Sequence, residues 1–238
     1  MAKGVETVMK TIGLVGGMTP ESTKTYYELL IEGARQPGGD PLRNPEILIY
    51  SLNLTEFVQI QRTGDPRMVV DYLSDIIERL RLAGAEVGAL TANTPHAYLE
   101  EIRTTTSLPL VSIVSATRNV AKDRALGTPL LLGTRTTVEA EMYPREFCEA
   151  GMRVVLPGED VREFLDHTIY NDLALGKVTP EIRKRYLDIC SRHIENDGID
   201  SVILGCTELP LVISSDDLPV QVLDTTALHV AAILAAAS

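Results

Sequence analysis

Short apolar, β-rich runs alternate along this chain with longer stretches whose apolar residues recur every three or four positions. The first run, Ile12-Gly13-Leu14-Val15, ends in Gly16-Gly17. Thr19 and Pro20 then open a helix, because proline at the first helical position gives up no N–H the helix needs. Tyr26, Tyr27, Leu29 and Leu30 follow at helical spacing. The pattern predicts further strands over 47–52, 87–90 and 108–113. It also predicts a helix over 69–82, with Val69, Val70, Leu73, Ile76, Ile77 and Leu80 on one face and Ala83-Gly84-Ala85 as its stop. Strands separated by helices form parallel sheets with helical crossovers, so the expected class is α/β.

The pattern repeats. Gly16 after Leu14-Val15 resembles Gly133 after Leu131-Leu132. The strand end 88–92 resembles 202–206, and Ser107-Leu108-Pro109 resembles Asp217-Leu218-Pro219. The three matches keep their order at offsets of roughly 110–117 residues, which predicts two similar α/β halves. Open parallel sheets hold ligands beyond the carboxyl ends of their strands. Two facing halves would gather the loops at 16–22, 91–96, 133–137 and 205–208 around one cleft. The expected domains are 1–112 with 216–238, and 113–215.

Composition narrows the function classes. The 238 residues suffice for one large domain or two modest ones, at 45% hydrophobic and 23% charged. With 22 basic against 33 acidic side chains the net charge is −11, which argues against nucleic-acid or anionic-membrane binding. The three cysteines, Cys148, Cys190 and Cys206, have no CxxC spacing. That disfavours a disulfide scaffold and a cysteine-rich zinc site, and it favours a reducing compartment. Residues 1–9 carry no apolar signal-peptide region, and the first eight read as an extension before Met9. No apolar run reaches about 18 residues, so no membrane span and a cytoplasmic location are expected.

The candidate chemistry lies in the loops after strands. Cys206, in Leu204-Gly205-Cys206-Thr207-Glu208, stands where a strand should yield to a helix start. Unpaired N–H groups and the helix dipole would lower its pKa, and Thr207 would offer a hydroxyl to a carboxylate. A small buried side chain ending a strand fits the same local sequence. Cys148 and Cys190 fall in helical patterns beside Phe147 and Ile189 and read as packing residues.

Asn93-Thr94-Pro95-His96 can bind a carboxylate through its N–H groups or simply cap a helix. His96 can titrate near neutrality or serve structure, and His167, His193 and His229 read as structural. Gly133-Thr134-Arg135-Thr136-Thr137 can likewise receive a carboxylate or cap a helix over 138–147. Neither GxGxxG nor GxxxxGK[ST] occurs, so no nucleotide cofactor is supported. Lys177, after Leu175-Gly176, is a candidate cation for a second substrate carboxylate or a solvated lysine past a helix end.

Four segments together resemble the aspartate/glutamate racemase family: 12–22 (Ile-Gly-Leu-Val-Gly-Gly-Met-Thr-Pro-Glu-Ser), Asn93-Thr94-Pro95-His96, 132–136 (Leu-Gly-Thr-Arg-Thr) and Gly205-Cys206-Thr207-Glu208. They occur in the family's order and span nearly the whole chain from Thr11. The resemblance implies two pseudo-symmetric parallel-sheet α/β domains with the active site in the interdomain cleft. It also implies a homodimer, a small acidic amino-acid substrate, and no use of PLP or a metal. In the family, two cysteines flank the substrate Cα, because inversion needs an acid and a base on opposite faces. Asn93, Thr94, Thr134 and Thr207 match its substrate-holding positions, and Met18 matches a position lining the pocket. Gln61, beside Arg62, lies in the stretch that reads the distal carboxylate.

One position departs. The family's first cysteine immediately precedes the Asn-Thr pair, and here that residue is Ala92, while Cys206 keeps the second. Thr91, one residue earlier, is the candidate replacement, although strand alternation turns it to the other side. Three readings follow: a racemase using Cys206 with a hydroxyl or water opposite, a one-sided protonation enzyme like the family's decarboxylase relatives, and an inactive amino-acid-binding protein.

Overall fold

The structure, a computed structural model, describes residues 9–35 and 44–238. Residues 1–8, read above as an extension, lie outside the described residues. Contacts divide the chain into two compact units, 1–91 with 98–111 and 230–238, and 92–97 with 112–229.

The first unit holds, in chain order, β1 (Ile12–Gly16), α1 (Pro20–Ala34), β2 (Ile47–Ser51), α2 (Leu54–Arg62), α3 (Pro66–Leu82), β3 (Val87–Leu90) and α4 (Leu99–Arg103). Its sheet is parallel in the order β2-β1-β3, with Ile12 opposite Ile47 on one side and Val87 on the other. β1 is buried throughout, as its apolar run requires between two neighbours. Asp65 caps α3 by accepting from the Arg67 N–H at 2.9 Å, and Pro66 fills the first helical position. The apolar stripe Val69, Leu73, Ile76, Ile77 and Leu80 is buried as the spacing predicts. Ile12, Leu14, Tyr26, Leu30, Val87 and Ala89 form a core with Val230 and Ile233.

The second unit holds α5 (Ile113–Asp123), β4 (Pro129–Leu132), α6 (Arg135–Glu139), α7 (Met142–Glu149), α8 (Glu159–Asn171), α9 (Pro180–Asp197), β5 (Ser201–Leu204), β6 (Gln221–Asp224) and the start of α10 (Thr225–Ala237). Its parallel sheet runs β4-β5-β6. Strand alternation sorts the core by face. Leu130, Leu132, Val202 and Leu204 pack on α8 and α9 residues such as Leu165, Tyr186 and Cys190. Leu131, Ile203 and Leu223 pack with Ile113, Val138, Tyr143 and Phe147.

The two sheets share one plan. β1 lies between β2 and β3, and β3 meets a single parallel bridge at Leu110. β4 lies between a single bridge at Val155 and β5, and β5 meets β6. Each unit therefore has four positions in equivalent order, and each reduces one edge position to a bridge.

Several expectations are corrected. The strand expected over 108–113 is only the Gly88–Leu110 bridge. Pro109 has no N–H to add to a ladder, and Ser112 already caps α5, its hydroxyl accepting from the Ser115 N–H at 3.1 Å. The helix over 138–147 is broken between α6 and α7, where Glu141 takes φ 53°. Residues 216–229, expected in the first domain, fall in the second unit because β6 pairs with β5, and only 230–238 return. Cys148 is exposed and does not pack, whereas Cys190 is buried. Among the described residues, no helix is long and apolar enough to cross a membrane.

Candidate active site

The loops after β4 and β5 run side by side. The Gly205 N–H donates to the Leu132 carbonyl at 2.7 Å, and a Cβ on Gly205 would stand 2.8 Å from that same oxygen. Only glycine permits so close an approach. Thr134 caps α6: its Oγ1 accepts from the Thr137 N–H at 3.4 Å and lies 3.1 Å from the Thr137 hydroxyl. The Arg135 N–H donates to Asp166 Oδ1 at 2.9 Å. Tyr170, on α8, is more than half exposed, and partial desolvation and the Asp166 charge raise its phenol pKa.

Cys206 follows Gly205 in an irregular turn. Its Sγ donates to Glu208 Oε2 at 2.8 Å, and the Thr207 hydroxyl donates to the same oxygen at 2.8 Å. Glu208 is only 8% exposed. Desolvation, then the charge of Glu208 and the hydrogen bond to it, push the Cys206 thiol well above its ordinary pKa. The Thr207 and Glu208 N–H groups pull the other way and lose. The expected helix start is absent: a single 3-10 turn, Leu209–Leu211, follows instead. Without an α-helix there is no macrodipole to favour thiolate, which corrects the expectation of a lowered pKa. The Thr207 hydroxyl proton is committed to Glu208 rather than offered outward.

The Asn93 segment belongs to the same unit. Asn93, 7% exposed, accepts from the Tyr143 hydroxyl at 2.6 Å and donates through Nδ2 to Thr225 Oγ1 at 3.2 Å. Thr94 starts a 3-10 turn, Thr94–Tyr98, and is partly exposed. His96 Nδ1 lies 2.8 Å from the Ala92 carbonyl, and the ring stands edge-on to His229 with centroids 5.4 Å apart. Ala92 is partly exposed and has no group to transfer a proton.

The remaining expected residues are placed differently. Met18 is buried in the first unit, after Gly17 at φ 85°. Gln61 is partly exposed in the last turn of α2. Thr91 is 0% exposed, and its hydroxyl donates to the Val15 carbonyl at 3.2 Å. The Thr91 carbonyl in turn accepts from the Ser22 hydroxyl at 2.5 Å. So buried and tied, Thr91 is a structural residue rather than an exposed acid–base group. Lys177 is exposed after Gly176 at φ 72°, and its N–H donates to the Asp172 carbonyl at 2.9 Å. Within the second unit, contacts join Cys206, Thr207 and Glu208 into one cluster and Asn93, Tyr143 and Thr225 into another.

The Asp/Glu/Hydantoin racemase pattern matches residues 15–233. The chain belongs to that family. A candidate Asp/Glu racemase from Yersinia pestis is 35% identical, with a TM-score of 0.89 over 96% of this chain and 99% of that one. The structure of PH1733, an aspartate racemase homologue from Pyrococcus horikoshii OT3, is 36% identical, with a TM-score of 0.87 over 96% and 99%. The broad specificity amino-acid racemase RacX of Bacillus subtilis (strain 168) is 24% identical over 222 residues, 91% of this chain and 93% of its own length. Among the described residues of this family member, no three His, Cys, Asp or Glu side chains converge as metal ligands.

Sequence reasoning about this racemase-family chain did not single out Glu208, Tyr143 and Thr225, which hydrogen-bond to the candidate residues Cys206 and Asn93. Glu208 had a readable signal, since residues two apart in a turn can meet. Tyr143 and Thr225 had none, standing 50 and 132 residues from Asn93 along the chain.

Proposed function

We propose that this chain is a cofactor-independent racemase of aspartate- or glutamate-type amino acids that works through a Cys206–Glu208 pair. The 2.8 Å contact from the thiol to Glu208 carries the proposal. In it the Glu208 carboxylate takes the thiol proton, and the resulting thiolate removes the proton from the substrate Cα. The C–H electron pair then spreads onto the substrate carboxylate, which hydrogen-bond donors must stabilise. Asn93, Thr94 and Thr134 are the proposed donors, with Met18, Gln61 and Lys177 reading the rest of the substrate. Protonation on the opposite face falls to a water, since Ala92 carries no acid. With this reading go a homodimer and a cytoplasmic location.

The test is α-proton exchange in D2O from both enantiomers of aspartate and glutamate, followed by NMR. A wider amino-acid panel belongs in the assay, because RacX carries a broad-specificity name. Exchange lost in Cys206→Ala supports the proposal, and absence of exchange from every enantiomer defeats it.

A second reading rests on Ala92 and on the protonated state of Cys206. A thiol held protonated is a ready donor, so Cys206 also suits one-sided protonation of a carbanion left by loss of CO2. Release of CO2 from a substituted malonate, abolished in Cys206→Ala and without α-exchange of amino acids, would favour it.

A further inference from the structure

Asn93 is held by a hydrogen-bond chain whose direction is fixed at one end. The Thr225 hydroxyl stands 2.7 Å from the Leu204 carbonyl, which can only accept, so Thr225 must donate there. With its one proton spent, Thr225 Oγ1 can only accept from Asn93, 3.2 Å away. The Asn93 amide nitrogen must therefore face Thr225, which turns Oδ1 toward Tyr143. The Tyr143 hydroxyl, 2.6 Å from Oδ1 and also beside the Thr117 and Thr225 hydroxyls, is the donor that Oδ1 faces. The Leu204 carbonyl thus fixes the Thr225 proton and, through it, the amide flip. Thr225 and Tyr143 are both 0% exposed, so water does not compete for these bonds.

We infer that Tyr143 and Thr225 are positioning residues that lock the Asn93 carboxamide in one of its two flips and keep its second Nδ2 hydrogen available to a substrate carboxylate. The inference rests on the proposal that Asn93 binds substrate. Leu204, the anchor of the chain, ends β5 two residues before Cys206, so the same strand end sets the amide flip and starts the thiol-bearing turn. Burial raises the Tyr143 phenol pKa and keeps it a donor at neutral pH. Free to flip, Asn93 would present a carbonyl oxygen to the carboxylate half of the time and repel it.

The experiment compares wild type, Tyr143→Phe, Thr225→Val, Thr225→Ser, Asn93→Ala and the Tyr143→Phe/Asn93→Ala double variant. Each is assayed for KM and kcat with L- and D-aspartate and for aspartate affinity by calorimetry. Tyr143→Phe and Thr225→Val should each raise KM about tenfold, with kcat changed less than about threefold. Thr225→Ser, which keeps the hydroxyl, should return KM to near the wild-type value. Tyr143 acts through Asn93, so the double variant should match Asn93→Ala with no added loss. Unchanged KM in both Tyr143→Phe and Thr225→Val, with KM raised in Asn93→Ala, overturns the positioning role and leaves the racemase proposal standing. An additive double variant also overturns it. If Asn93→Ala itself binds and turns over aspartate like wild type, the substrate role of Asn93 fails and this inference fails with it. Should Tyr143→Phe not fold, the Thr225→Val and Thr225→Ser pair decides the matter.

Discussion

The Cys206 thiol and the Glu208 carboxylate, two residues apart in one turn, stand 2.8 Å from each other. The carboxylate has opposite effects on the thiol's two duties. As a nearby charge it disfavours thiolate, and as an acceptor it is the group placed to take the thiol proton.

Glu208→Gln should separate those effects. It removes a charge that raises the Cys206 pKa, so thiolate becomes more accessible and alkylation by iodoacetamide at pH 8 should quicken several-fold. Exchange of the substrate α-proton should nevertheless slow by about 10²-fold, because the amide cannot take a proton. Peptide mass spectrometry and NMR exchange report the two rates. If α-proton exchange does not slow, Glu208 is not the proton acceptor.

Alkylation of native wild-type protein should rank the three thiols. Cys148 is exposed and should label first. Cys206 is held protonated and should label slowly, its rate still climbing above pH 9. Cys190 is buried, its pKa pushed up to about 12, and should label only on unfolding. Early labelling of Cys190 would contradict its place in the core.

Alkaline stability should depend on Cys190. Its folded pKa of about 12 lies above the value of an exposed thiol, so above roughly pH 9 the unfolded chain loses a proton that the folded chain retains. Its contribution is fully present below that pH and is lost progressively as pH rises toward 12. Thermal midpoints of wild type and Cys190→Ala from pH 7 to 11 test this. The variant should start lower, through lost packing, and fall less steeply. Parallel curves would exclude the linkage.

Gly205→Ala should destabilise the protein by about 1–3 kcal/mol, because the new Cβ meets a backbone oxygen at 2.8 Å and neither strand end can yield cheaply. Cys206 follows directly, so activity should fall with stability. Thermal unfolding and α-proton exchange check it, and a variant of wild-type stability would show that the loops can part.

Ala92→Cys should restore an acid–base group at the position where the family resemblance places one. Racemisation should then speed up in both directions together, since enantiomers of equal free energy tie forward and reverse kcat/KM, as followed by circular dichroism. Unchanged rates would place the limiting step elsewhere.

Much of this was legible in the chain. The apolar runs of β1, β3, β4 and β5 and the stripe on α3 follow from hydrophobic periodicity, which burial in parallel sheets enforces. The repeat was readable because both halves use the same strand–glycine–helix unit. Leu108–Ile113 misled because an apolar run does not report the missing N–H of Pro109 or the cap at Ser112. The split between α6 and α7 lay in the positive φ of Glu141, a residue type that carries no such signal.

The sequence by itself determined the α/β class, the duplicated plan and the survival of one cysteine of an expected pair. Local patterns suffice there, because periodicity and turn residues act within a few positions. Only the tertiary structure decided that Cys206 is held protonated, that Thr91 is locked in the core, and that Asn93 is oriented from Tyr143 and Thr225. Those outcomes depend on desolvation and on hydrogen bonds between residues distant in the chain, and neither is written in local spacing.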